Sequence, residues 1–284
     1  MKITPISKIS DGQDGAFWGD CLFRFHADGR AQVWDAQALD TAADTLDLIA
    51  EFSVDPSDAV IPHFNAVSFG TEYFAPGDEF PLLYANVYNN YAKAADRREG
   101  MCCVYRLLRQ GTAFSMTLVQ VIRIGFAGTA LWRSSADDVR PYGNFVIDTD
   151  KSILYAFTMR DADRCTRYFS FRLPKLSDGT YSAEYGVRLV TLTENGILDH
   201  FDTEYHLYLQ GACCHDGLIY SSEGFNAEIP PALRVIDPVQ RKQIHHINLP
   251  DLGIFTEAEW IDFRKGICYY CDSKGNVYRV DFEL

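Results

Sequence analysis

The sequence has few basic residues, with 26 Lys and Arg against 39 Asp and Glu and a net charge of −13. Binding to a phosphate backbone needs a basic surface, so this composition argues against a nucleic-acid partner. No apolar run reaches the roughly 20 residues that span a bilayer, and we expect no membrane partner. The opening MKITPISKISDGQDG also lacks the apolar segment of a signal peptide. We therefore expect a cytoplasmic protein, unless a leader preceded residue 1.

Motifs of the common catalytic and metal sites are also missing. The chain has no Gly-rich phosphate loop, no GxSxG, no HExxH and no EF-hand loop, and its aspartates do not recur at one position of a repeat as in sialidases. This favours a binding protein over an enzyme. The sequence assigns no metal site and no cofactor, although a divalent cation remains open as a cofactor.

Eight cysteines are present, and in a reducing compartment we expect them to stay as thiols. Cys102–Cys103 and Cys213–Cys214 lie in apolar runs that read as strands, on which neighbouring side chains point to opposite faces. Cys268 and Cys271 form a single CxxC with the same property. We predict buried thiols at these positions rather than a zinc or redox site.

What the sequence does contain is a repeat of short β-type runs separated by Gly, Asp, Asn and Pro. Each unit has two runs joined by a turn, and the second runs begin near residues 21, 81, 152, 217 and 267. A third run follows in every unit: AQVWDAQ, MCCVYRLLR, RYFSFRLPK, ALRVIDPVQ and NVYRVDFEL. A fourth run follows in four of them: DLIAEFSV, SMTLVQVIRI, GVRLVTLT and QIHHINLP.

This pattern predicts an all-β protein, a five-bladed β-propeller of four-stranded antiparallel blades, as a single domain over residues 1–284. The fifth unit lacks a fourth run, and residues 2–10 have no other partner. We expect this N-terminal strand to pair with the C-terminal blade and close the ring. A two-domain β-sandwich is the alternative, but the recurrence of one four-run order favours the propeller.

One unit carries a family resemblance. Residues 209–250, LQGACCHDGLIYSSEGFNAEIPPALRVIDPVQRKQIHHINLP, resemble a blade of the YVTN/NHL-like propellers. They are especially similar to the repeat of plant-type glutamine cyclotransferases, which are five-bladed, so the resemblance implies that fold. In that family a glutamate with an acid/base role follows the tyrosine of this blade. Here Ser221 follows Tyr220, so the resemblance does not carry the catalytic position.

The loops expected between one blade's outer strand and the next blade's inner strand are rich in carboxylates. We predict from them an acidic rim around the mouth of the central channel. Those carboxylates are Asp11, Asp14, Asp55, Asp58, Asp137, Asp138, Asp199, Asp202, Glu204, Glu257 and Glu259.

Polar residues near the starts of the five predicted inner strands should converge at this mouth, as a small-molecule site requires. The candidate ligand-binding residues are His63, Asn65, Asn144, Gln210 and, on the long loop 125–143, Trp132 as a stacking surface. Asp14 and Glu259 are the candidate catalytic pair, because they would belong to neighbouring blades once the ring closes.

Three functions remain open from these residues. We favour a non-catalytic, monomeric propeller that binds a small molecule, a glycan or a protein at the acidic mouth. The second is a glycoside hydrolase-like enzyme that uses the channel carboxyl groups, which would need to lie roughly 5–9.5 Å apart. The third is a scaffold for protein interaction.

Overall fold

The computed structural model describes residues 2–41, 44–54, 60, 63–87, 99–138, 143–206 and 208–282. These residues form 22 β-strands in five sheets and three short 3-10 helices, Ala36–Thr41, Glu194–Gly196 and Leu249–Leu252. None of the helices in these ranges is long and apolar enough to cross a membrane.

Each sheet is one blade of a five-bladed β-propeller. Blade one consists of β2 (Gly15–Trp18), β3 (Cys21–Phe25), β4 (Arg30–Asp35) and β5 (Leu48–Ser53). Blade two contains β6 (Val67–Phe69), β7 (Leu83–Asn86), β8 (Met101–Gln110), β9 (Ala113–Ile124), β13 (Thr180–Ser182) and β14 (Val187–Leu192). Blade three consists of β10 (Asn144–Asp148), β11 (Ile153–Arg160), β12 (Cys165–Arg172) and β15 (Ile197–Glu204).

The last two blades follow the same plan. Blade four consists of β16 (Leu209–His215), β17 (Leu218–Glu223), β18 (Ala232–Asp237) and β19 (Lys242–Asn248). Blade five consists of β20 (Ala258–Arg264), β21 (Ile267–Asp272), β22 (Asn276–Asp281) and β1 (Lys2–Lys8). The inner strands β2, β6, β10, β16 and β20 contact one another in a closed ring. We call the end where they begin the upper rim and the end where they finish the lower rim.

Five apolar clusters hold the ring together, and each lies between two neighbouring blades. Because both faces of a blade are covered, successive strand residues enter different clusters. Cys102 packs between blades two and three and Cys103 between blades one and two. Cys268 and Cys271 separate in the same way. All eight cysteines are free thiols, and five of the six predicted to be buried are buried, whereas Cys214 is partly exposed.

The ring closes as the sequence predicts. Strand β1 pairs antiparallel with β22 along its whole length, from Lys2 opposite Asp281 to Lys8 opposite Asn276, with an irregularity after Pro5. On the lower rim the buried guanidinium of Arg264 in blade five contacts Asp20 and Asp40 of blade one, at 2.8 and 2.5 Å. Main-chain pairing and ion pairs thus close the ring together.

The fourth strand of blade three differs from the prediction. Residues 187–192, expected there, form β14, which pairs parallel with β9 and widens blade two to six strands. The fourth strand is instead β15, antiparallel to β12, in a segment predicted to be an inter-blade loop. Its side chains alternate: Phe201 stacks on Tyr168 at 5.2 Å, whereas Asp202 pairs with Arg167 at the surface. Asp199, Asp202 and Glu204 therefore belong to an outer strand and not to the acidic rim.

Candidate ligand-binding site

Polar side chains from all five blades meet at the upper rim, where the inner strands begin. They form two hydrogen-bonded groups. The first joins Asn144, Asn86, Asn65, Gln210 and Glu257, and the second joins His63, Gln13 and Glu259. We call them together the mouth network.

The first group runs from blade three to blade five. Asn86 Nδ2 donates to Asn144 Oδ1 at 2.8 Å, and Asn86 Oδ1 accepts from the backbone N–H of Asn65 at 2.8 Å. Asn65 Nδ2 donates to Gln210 Oε1 at 3.1 Å, and Gln210 Nε2 donates to Glu257 Oε1 at 2.5 Å. One continuous series of hydrogen bonds therefore couples blades two, three, four and five.

Backbone contacts fix the orientation of three amides in this series of hydrogen bonds, and the Asn144 amide is oriented by its bond from Asn86. Asn86 Oδ1 also accepts from the N–H of Ala66, Asn65 Nδ2 donates to the carbonyl of Leu209, and Gln210 Nε2 donates to the carbonyl of Gly224. Exchanging the amide oxygen and nitrogen would place like groups against these backbone atoms. The directions of the hydrogen bonds in the chain are therefore determined.

Two buried polar atoms in this first group of the mouth network have no hydrogen-bond partner. They are the acceptor Asn65 Oδ1 and the donor Asn144 Nδ2, on side chains that are 2% and 4% exposed. A buried polar atom without a partner costs about 1–3 kcal/mol. The Asn86 side chain bonds both residues, through the backbone N–H of Asn65 and the side-chain oxygen of Asn144, so the free acceptor and the free donor belong to residues joined by one side chain.

The contact of Asn65 with Leu209 also crosses the centre of the ring. Asn65 precedes β6 of blade two and Leu209 begins β16 of blade four, which are not neighbouring blades, and β6 and β16 contact each other directly. The axis is bridged at this level. This contact forms a floor across the axis at the upper rim.

The second group links blades one, two and five. His63 Nε2 lies 2.9 Å from Gln13 Oε1, and Gln13 Nε2 donates to Glu259 Oε1 at 3.4 Å. Burial lowers the pKa of His63 to about 4, so its imidazole is neutral at pH 7. The neutral ring can donate a hydrogen bond to the side-chain oxygen of Gln13. The Gln13 amide nitrogen then donates to the carboxyl group of Glu259.

Both glutamates of the network have raised pKa values. Burial raises the pKa of Glu257 to about 7. Burial, together with the neighbouring Glu257, raises the pKa of Glu259 to about 8, although Arg24 opposes this. Near neutral pH these carboxyl groups hold protons for much of the time, so they can donate as well as accept hydrogen bonds.

Asp14 lies beside this network but is tied to the backbone. Its Oδ2 accepts from the N–H of Val67 at 2.6 Å, which connects blade one to blade two, and the residue is 1% exposed. Burial raises its pKa well above the usual value, while backbone N–H groups and Arg24 act in the opposite direction. The fully buried Arg24 donates to the carbonyl of Gly12 at 2.7 Å.

Trp132 does not provide the predicted stacking surface. Its side chain is fully buried in the cluster between blades two and three, stacked on Phe169 at 5.6 Å and edge-on to Phe126. Exposed aromatic rings at the upper rim are instead Phe255, two residues before Glu257, and Phe225, which follows Gly224 and stacks on Tyr208 at 5.6 Å. Phe225 is 51% exposed.

Three members of the site were missed by the sequence interpretation: Gln13, Asn86 and Phe225. Asn86 had a signal, since it is a single amide inside the apolar run LLYANVY. Of the predicted rim carboxylates, Asp55 and Asp58 lie outside the described residues. Within the described ranges, no group of three or more His, Cys, Asp and Glu residues could hold a metal ion.

Comparison with known proteins gives a match of fold. No family model matches the chain, and no curated protein matches it. Among solved structures, a glutaminyl cyclase from Myxococcus xanthus is similar with a TM-score of 0.52 and 11% identity, covering 99% of this chain and 94% of that one. A gluconolactonase from Xanthomonas campestris has a TM-score of 0.48 and 12% identity, covering 98% and 88%. The chain is a five-bladed β-propeller.

The raised pKa of Glu259 predicts how the stability of this propeller changes with pH. The folded state keeps a proton that the unfolded chain releases above its ordinary pKa of 4.5, so stability falls as pH rises until it passes the folded pKa of about 8. Between pH 6 and 9 we expect the titration of Glu259 to lower the free energy of unfolding by about 2–3 kcal/mol. Glu259→Gln should remove that part of the slope in urea unfolding measured across this range.

The exposed Glu228 supplies the control, because Glu228→Gln changes the same charge away from any buried position. We expect this variant to keep the wild-type slope. A Glu259→Gln protein whose stability falls as steeply as that of the wild type would contradict the raised pKa.

Proposed function

We propose that the protein binds a small polar molecule at the upper rim, on the floor formed by the mouth network. The observation that carries the proposal is the pair of unpartnered buried atoms, Asn65 Oδ1 and Asn144 Nδ2, within a network whose other amide directions are fixed. Small-molecule sites are built from a few such polar groups on a rigid frame. Here the frame is five blades that pack through apolar clusters and are closed by the pairing of β1 with β22.

The hydrolase alternative has less support. Asp14, its candidate partner for Glu259, gives one carboxyl oxygen to the Val67 N–H and is almost fully buried. Its other oxygen, Oδ1, has no partner but is buried too, whereas a nucleophile or base needs an oxygen that reaches the substrate. A protein-interaction scaffold would use exposed apolar side chains of the upper rim such as Phe225, Leu252 and Phe255, but it gives the two unpartnered amide atoms no role.

The test is a thermal-unfolding screen of polar small molecules against the wild type and Glu257→Gln. A ligand that binds only the folded state stabilises it by about 2.7 kcal/mol at a hundredfold excess over Kd. We expect compounds that stabilise the wild type and lose most of that effect in Glu257→Gln. Asp216→Asn, on the exposed lower rim, is the matched control and should respond like the wild type.

Two results would count against the proposal. One is a screen in which no compound raises the unfolding temperature of the wild type. The other is a set of active compounds that stabilise Glu257→Gln as much as the wild type, which would place their site elsewhere.

A further inference from the structure

The mouth network ends beside an exposed aromatic ring. Gln210 Nε2, which bonds Glu257, also donates to the carbonyl of Gly224 at 3.3 Å, and Phe225 is the next residue. One face of the Phe225 ring stacks on Tyr208 with an interplanar angle of 14°. Because half of the Phe225 surface is exposed, its ring has apolar area available to a ligand that sits on the network.

The free atoms of the network call for a ligand group that can both donate and accept. Asn65 Oδ1 needs a donor and Asn144 Nδ2 needs an acceptor. A hydroxyl group has one donor hydrogen and two acceptor lone pairs, so a hydroxyl can satisfy either atom. Gln13 and the two glutamates offer further groups of mixed donor and acceptor character.

Charge argues against a cationic ligand. The fully buried guanidinium of Arg24 lies close enough to Asp14 and Glu259 to lower the pKa values of both, and it would repel a second positive group. An anion would meet the carboxyl groups of Glu257 and Glu259, and the Arg24 guanidinium, although its Nε and Nη1 have no hydrogen-bond partner, is fully buried. The arrangement suits a neutral molecule.

We infer that the ligand is a neutral, hydroxyl-bearing ring of monosaccharide size, whose flat C–H face packs on Phe225 and whose hydroxyl groups bond Asn65 and Asn144. This inference rests on the proposed function and names its ligand class. An apolar face beside a polar edge is what distinguishes a pyranose ring from an open-chain polyol, and an aromatic ring can recognise that face.

The test uses the side-chain amide signals of Asn65 and Asn144 in nitrogen-15 NMR spectra, identified by their absence in Asn65→Asp and Asn144→Asp. The probes are the methyl glycosides of glucose, galactose, mannose and xylose. Sorbitol is added as a polyol without a ring, and tetramethylammonium as a cation. We expect at least one glycoside to shift both signals, with an affinity about tenfold above those of sorbitol and tetramethylammonium.

Phe225→Ala provides the second arm, since this exposed residue can be truncated without opening the core. It should weaken glycoside binding about tenfold and leave any sorbitol binding unchanged. Tyr73→Ala, which truncates an exposed aromatic on the lower rim, should change neither.

The outcomes separate the two proposals. Sorbitol or tetramethylammonium binding as tightly as every glycoside, or full glycoside affinity in Phe225→Ala, would overturn the ring-shaped ligand and leave the site standing. If no probe shifts the two amide signals but a compound from the thermal screen does, the ligand class is wrong. If nothing shifts them, the site and the ligand class both fail.

Discussion

Glu223→Gln should destabilise the protein by about 3 kcal/mol, because it leaves the guanidinium of Arg234 buried without its counter-charge. Arg234 Nη2 lies 2.7 Å from Glu223 Oε1, with side chains only 9% and 6% exposed. Removing one partner of a buried pair costs far more than the pair itself contributes, since the remaining charge has lost its water. Urea unfolding at pH 7 measures the difference.

The chain contains a matched control for this prediction. Arg109 and Glu79 form an equally close pair at 2.6 Å, but their side chains are 38% and 44% exposed. Water screens such a pair, so Glu79→Gln should cost less than about 1 kcal/mol. Equal losses in the two variants would show that burial does not govern the strength of the Glu223–Arg234 pair.

Gly211→Ala, which adds a methyl group, should lower the free energy of unfolding by a similar amount, about 3 kcal/mol. Gly211 lies on the inner strand β16, and a Cβ atom there would come within 2.5 Å of the Glu259 carbonyl oxygen and 2.9 Å of the Trp260 Cα. Both obstacles are backbone atoms of β20, so relief requires that two inner strands move apart. Denaturant unfolding of Gly211→Ala tests this expectation.

Gly128→Ala is the control for the glycine substitution. Gly128 is exposed, and a Cβ atom there meets nothing within 4 Å. We expect a change of less than about 0.5 kcal/mol. If Gly211→Ala were as stable as Gly128→Ala, the close approach of β16 and β20 would be wrong.

Most of the fold could be predicted because the inner strands of each blade are largely buried on both faces. Such strands appear in sequence as short continuous apolar runs, and the same order of runs recurs five times. The exception is instructive. β15 has an exposed face with Asp202 and Glu204, so its composition is that of a loop, and β14 joins blade two by a parallel pairing that no local pattern encodes.

The site was predicted in part. Asn65, Asn144, Gln210 and Glu259 all lie at the starts of inner strands, where position in the repeat places them. The prediction for Trp132 was wrong because position in a loop does not determine which way an aromatic side chain points. An apolar ring packs inward when there is space for it between the blades. That these four residues bind a ligand remains a prediction.

The pairing of β1 with β22 has a consequence for biosynthesis. Among the strands of the propeller β1 is made first, and it finds its partner only after β22, the last of them in sequence order, has been made. Until then the side chains of blade one that face blade five, among them Phe17 and Leu22, lack their cover. A chain that stalls within blade five would therefore expose apolar surfaces on two blades at once. Chaperones and proteases recognise exposed apolar surface of this kind.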